Sequence, residues 1–110
     1  MMRGHNAMME SVCATYAALV QPCEQYRDQR VADAWRDFDI RMTIAARKAH
    51  EIGDWRQHER EWTLAQEARA ALTSAAWADY RATTAGTNAW FQYRLNRAIA
   101  GRSMGRIAGA

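Results

Sequence analysis

His50 and His58 stand eight residues apart in the stretch HEIGDWRQHEREW, residues 50–62, with Glu51, Asp54, Glu59 and Glu61 around them. Imidazole and carboxylate groups are ligands that zinc and other transition metals accept. A metal site needs a complete ligand set at a workable spacing, and the H-E-x-x-H pair that puts two histidines on one helical face is absent. His58 also falls at helical spacing from Trp55 and Trp62, where a packed ring is the simpler reading. No metal or other cofactor is expected.

The remaining chemistry-bearing residues are no closer to a catalytic set. Cys13 and Cys23 are ten residues apart, about 15 Å by helical rise, whereas a disulfide needs a Cα separation of roughly 4.4–6.8 Å. With no histidine nearby in sequence to generate a thiolate, both are expected to be small buried hydrophobes. Asp37 and Asp39, like Glu59 and Glu61, are two residues apart, so their carboxylates diverge on a helix. The chain has no Gly-rich phosphate loop, no G-x-S-x-G, and no H-x-E paired with C-x-x-C. A non-enzymatic protein is expected.

The strongest functional signal is NAWFQYRLNRAIAGR, residues 88–102. On a helical wheel Phe91, Leu95, Ala98 and Ile99 occupy one side, suited to packing. Trp90, Tyr93, Arg94 and Arg97 share the other, and Arg102 and Arg106 extend the basic series beyond them. Aromatic residues and arginine are the types enriched at binding hot spots. They also suit nucleic acids, since arginine pairs with phosphate and a ring stacks on a base. The alternative is that Trp90 and Tyr93 pack against Trp77 or Tyr80 and leave the arginines in water.

Charge reinforces that signal. Residues 1–79 carry 10 basic and 12 acidic side chains, while residues 80–110 carry five arginines and no acid. The formal net charge of +3 conceals this division. Segregation of this kind implies an acidic partner for the C-terminal part. Arginine supplies 14 of the 15 basic residues, which favours planar bidentate contacts.

The elements that must position these residues read as helices. Abundant alanine favours helix, scarce valine and isoleucine disfavour sheet, and proline occurs once. Met9, Val12, Tyr16 and Leu19 mark one face of a first helix, 6–20. Pro22 fits the start of a second helix, 22–51, about 45 Å long. Its seam is Val31, Trp35, Phe38, Met42, Ala45, Ala49 and Ile52, at alternating spacings of four and three. Gly53 suits the left-handed residue that ends that helix, and Asp54 caps the next, 55–83.

This third helix carries two apolar stripes. One runs Trp55, His58, Trp62, Ala65, Leu72, Ala76 and Tyr80; the other runs Leu64, Ala68, Ala71, Ala75, Ala78 and Ala82. Two stripes imply contacts on two sides. Folding the long segments about residue 53 makes facing positions add to about 106, so that Trp35 and Phe38 meet Ala71 and Ala68. After a break at Thr83–Gly86 a last helix, 88–100, is expected, then a mobile Gly/Arg tail, 101–110. The fold class is therefore all-α: a long antiparallel helical hairpin with a shorter helix at each end, forming one domain over 1–100.

The stretch ARKAHEIGDWRQHEREWTLA, residues 46–65, resembles the turn region of a tetratricopeptide repeat. The resemblance covers 20 of 110 residues. The expected helices are about twice that repeat's usual length, and no second copy follows at a 34-residue period. Its peptide-binding role is not carried over.

No apolar run approaches the roughly 20 residues that span a bilayer. Arg3 followed by Ala7–Val20 imitates a signal peptide, but Glu10 interrupts it and no small-residue cleavage site follows. A cytoplasmic protein is expected. Its role is read as binding an acidic protein surface or a protein–nucleic-acid complex through the basic aromatic C-terminal helix. A small phage- or plasmid-type regulator or inhibitor, by analogy of the anti-CRISPR kind, fits this size and charge. The alternatives are direct nucleic-acid binding and a structural helical homo-oligomer, with Ile40 and Ile44 available for a homodimer.

Overall fold

The structure is a computed structural model that describes the backbone of residues 2–108 and the side chains of residues 7–101. It consists of two long helices, α1 (Met2–Ile52) and α2 (Arg56–Ala108), and the described residues contain no strand. The all-helical class and the single bend at Gly53 agree with the sequence. Separate shorter helices at the ends are not present, because α1 runs through Pro22 and α2 runs through Thr83–Gly86.

Both continuations have a physical reason. A proline inside a helix leaves the carbonyl four residues back without its donor. Here that carbonyl belongs to Ala18, and both Ala18 and Pro22 are exposed, where solvent can take the missing donor's place. At the other expected break Thr84 is buried, and Thr87 and Phe91 are half-buried. Packing outweighs a weak local propensity for helix. Asn88, the expected start of the last helix, lies within α2 and accepts a hydrogen bond from the Tyr16 hydroxyl at 2.7 Å. Helix continues to Ala108 through most of the expected 101–110 tail.

Contacts gather in two units. The inner one, Gln25–Tyr80, holds the bend; the outer one is made of Met1–Glu24 and Arg81–Ala110.

In the inner unit Gly53 has φ +76° and donates its N–H to Ala49 at 2.8 Å, closing α1. A residue with a Cβ is strained in that conformation. Asp54 then accepts the Arg56 N–H at 3.0 Å, satisfying a donor of the first turn of α2. Side-chain pairs across the hairpin fix its register: Arg30 pairs with Asp79 at 2.7 Å, and Arg41 with Glu61 at 3.4 Å. The Arg69 guanidinium lies 4.1 Å from the Trp35 ring centroid. These pairs add to between 102 and 109, around the expected 106.

What meets across the hairpin differs from the expectation. The buried residues of the inner unit are Ala34, Ala45, Ala49, Ala65 and Ala76. Trp35, Trp62 and Ile52, assigned to the seams, are 45%, 49% and 69% exposed. The inward row of α1 is Arg27, Val31, Ala34, Phe38, Met42, Ala45 and Ala49; that of α2 is His58, Glu61, Ala65, Arg69, Thr73, Ala76 and Tyr80. Each advances by about 3.7 residues per step, an eleven-residue rhythm. A strict four–three seam has a 3.5 period and drifts off the contact by about 20° per heptad on such helices. Trp35, Trp62 and Ile52 lie along the flanks, and the buried positions between the helices are alanines.

In the outer unit the Tyr16 and Phe91 rings pack with centroids 4.4 Å apart. Val20, Thr84 and Ala98 are buried there. The same drift replaces Leu19, expected inside but 52% exposed, by Val20. Cys13 is exposed and Cys23 half-buried, so the first is not the buried hydrophobe expected; both are free thiols.

Candidate interaction surface

The C-terminal candidates are carried by the outer-unit part of α2, whose apolar side faces α1 through Phe91, Leu95 and Ala98. Ile99, expected on that side, is exposed. Packing of Phe91 on Tyr16 fixes the rotation of the helix about its axis and so decides which residues face water.

Tyr93 is 57% exposed, Arg94 and Arg97 are exposed, and Trp90 is half-buried. Arg97 donates from Nη1 to the Tyr93 hydroxyl at 3.1 Å, with its guanidinium carbon 5.8 Å from the ring centroid. One turn apart on the helix, the two side chains hold each other in place. Arg94 takes part in no ion pair among the described residues, consistent with the absence of any acid between residues 80 and 110. The side chains of Arg102 and Arg106 lie outside the described residues.

Trp77 and Tyr80, the alternative packing partners for Trp90 and Tyr93, are engaged within the inner unit. Their rings meet edge to face at 5.8 Å, and Arg27 stacks on both.

At the bend, the His58 ring packs edge-on against Trp55 at 5.1 Å. It lines a shallow cavity of about 180 Å³ with Arg41, Lys48 and Glu61, to which His50 does not contribute. Among the described residues no group of three or more His, Cys, Asp or Glu side chains is arranged to hold a metal ion.

The sequence reading missed a second aromatic surface. Trp35, Trp55, Trp62 and Trp77 in the inner unit are each between 41% and 51% exposed. Arginines cover two of them: Arg69 lies 4.1 Å from Trp35, and Arg27 lies 4.1 Å from Trp77. The signal was present as the spacing Trp55, Trp62, Arg69, Trp77, which keeps these residues on one side of a helix. It was hidden because Trp55 and Trp62 also fit a buried stripe, to which Arg69 and Trp77 do not belong.

No family model, curated protein or solved structure matches this chain. No helix among the described residues is long and apolar enough to cross a membrane.

Proposed function

We propose that this chain is a non-enzymatic binding protein that engages another macromolecule through Trp90, Tyr93, Arg94 and Arg97, with Arg102 and Arg106 extending the contact. The observation that carries this reading is the Tyr93–Arg97 pair. A large ring, 57% exposed, is tied by a 3.1 Å hydrogen bond to a guanidinium on a segment without acids. Ordering two long side chains before contact lowers the entropy cost of binding. Aromatic and arginine side chains together supply the hot-spot chemistry that recognises an acidic protein surface. The same groups fit a protein–nucleic-acid complex, and a small cytoplasmic regulator or inhibitor is the role that suits such a surface.

The test is retention from a lysate by the immobilised chain, comparing wild type with an Arg94→Glu, Arg97→Glu variant, with and without nuclease. A partner lost from the variant and kept after nuclease supports the reading. Equal retention by both proteins rejects this surface. Direct nucleic-acid binding is the second reading, favoured by the charge division at residue 80, and requires that a purified oligonucleotide bind without any protein partner.

A further inference from the structure

Two helix-breaking signals that the fold overrides lie level with each other in the outer unit. Tyr16 meets Asn88 and Phe91 there, and continuing that pairing along the helices sets Pro22 of α1 opposite Thr84 of α2. Gly86 follows in the same turn, with nothing within 4 Å of an added Cβ. Proline and glycine both weaken a helix interior, so α1 and α2 lose backbone stability at one level. That level is close to the contact boundary at Glu24/Gln25 and Tyr80/Arg81.

The contacts within the two units are unequal. The inner unit has the Arg30–Asp79 and Arg41–Glu61 ion pairs, arginines stacked on Trp35 and Trp77, and a row of buried alanines. The outer unit has the Tyr16–Phe91 ring contact, the Tyr16–Asn88 hydrogen bond, and buried Val20, Thr84 and Ala98. Among its described residues it has no ion pair.

We propose that the outer unit, over residues 7–21 and 87–101, opens as a separate cooperative unit while the inner hairpin stays folded. Pro22 and Gly86 then mark the ends of the helices that remain. In that open form the two residues change from defects to stops. A proline costs almost nothing in the first turn of a helix, and Glu24 lies near the positive end of that helix's dipole. Glycine is favoured just past a helix C-terminus. The residues that burden the closed form therefore suit the open one, and packing in the outer unit is what opposes opening. Opening melts the helix that holds the Tyr93–Arg97 pair. This link to recognition rests on the proposed interaction surface, whereas the opening itself stands on packing and helix chemistry alone.

Native-state hydrogen exchange of the full chain, read amide by amide, tests the proposal without any partner. Amides from Thr15 to Val20 and from Trp90 to Leu95 should share one opening equilibrium. Relative to their unfolded rates they should exchange about tenfold or more faster than amides near Ala45 and Ala76. Ala65→Gly, in the inner unit, should speed the inner amides about fivefold or more and leave the outer ones unchanged. Pro22→Ala should slow the outer amides about fivefold or more, because it relieves the closed form. Equal protection in both units, or an Ala65→Gly effect felt equally by both, makes the chain one cooperative body and overturns the proposal. Protection that rises gradually inward from the chain ends is fraying and overturns it too. Outer amides that ignore Pro22→Ala remove the proline from the boundary and reject it likewise.

Discussion

Arg27 sits over Trp77, its guanidinium carbon 4.1 Å from the ring centroid and 4.4 Å from that of Tyr80. Only 14% of the Arg27 side chain is exposed, and its charge is met by Asp28 at 2.9 Å. In a hairpin whose buried residues are mostly alanine, this stack is one of the few places where large side chains close the contact between helices. Arg27 therefore acts as a core residue that happens to carry charge.

Replacing Arg27 by alanine is expected to lower stability by about 2 kcal/mol, the sum of a partly desolvated cation–π contact and lost packing of the aliphatic stem. Lysine should recover part of the loss, because an ammonium keeps the charge but lacks the broad guanidinium that reaches both rings. Urea unfolding should thus rank wild type above Arg27→Lys and Arg27→Ala last. An alanine variant as stable as wild type would show that the stack contributes nothing.

The glycines divide by conformation. Gly53 has φ +76°, so Gly53→Ala should cost about 1 kcal/mol through backbone strain despite open space around a Cβ. Gly86 lies inside α2, and a Cβ there also meets nothing within 4 Å. Gly86→Ala should gain about 0.5–1 kcal/mol by restricting the unfolded chain and favouring helix. Opposite signs in denaturant midpoints are the expected outcome. A loss at Gly86 would place the end of the helix there after all.

The contrast between those two glycines shows what the sequence made legible. Gly53 and Asp54 were readable because a left-handed residue and its following cap are local chemistry, and both do what their types predict. Register was readable because equal segment lengths about one bend leave little freedom. Gly86 and Pro22 were misread because their effect depends on surroundings: burial of Thr84 holds one region helical, and solvent at Ala18 tolerates the other. The contact boundary between units nonetheless falls close to both, at Glu24/Gln25 and Tyr80/Arg81.

The rings illustrate a subtler limit. Apolar residues at four–three spacing look like a seam whether the true contact repeats every seven residues or every eleven, and the two diverge only over several turns. Val31, Phe38, Met42, Ala45 and Ala49 of the seam were assigned to the interior correctly, while Trp35 and Ile52 were not. For the candidate surface, exposure of Tyr93, Arg94 and Arg97 followed from the wheel. The Tyr93–Arg97 hydrogen bond depends on rotamers that residue type alone does not specify.

Pro22 supplies a direct measurement of helix continuity. If α1 passes through it, Pro22→Ala restores a missing donor and removes a steric clash, for an expected gain of about 1–3 kcal/mol. At the first turn of a separate helix a proline costs little, and the same change would be close to neutral. The denaturant midpoint of the variant, with helicity at 222 nm as a second readout, distinguishes the two. A gain below the error of the measurement would restore the break after Gln21.

Direct binding of nucleic acid has a quantitative ceiling set by the five arginines between Arg81 and Arg106. Each phosphate neutralised contributes about 0.7 to the slope of log affinity against log salt for a single strand and about 0.9 for a duplex. If all five act, the slopes should not exceed about 3.5 and 4.5 in magnitude. An Arg94→Ala, Arg97→Ala variant removes two contacts and should reduce the single-strand slope by about 1.4. Fluorescence anisotropy with a labelled oligonucleotide at several salt concentrations reads both quantities. A steeper slope would require contacts from residues 1–79, where twelve acids outnumber ten bases, and an unchanged slope in the variant would remove Arg94 and Arg97 from the phosphate contact. Binding that is absent even at low salt eliminates the nucleic-acid reading and leaves the exposed ring and its arginines for an acidic protein surface.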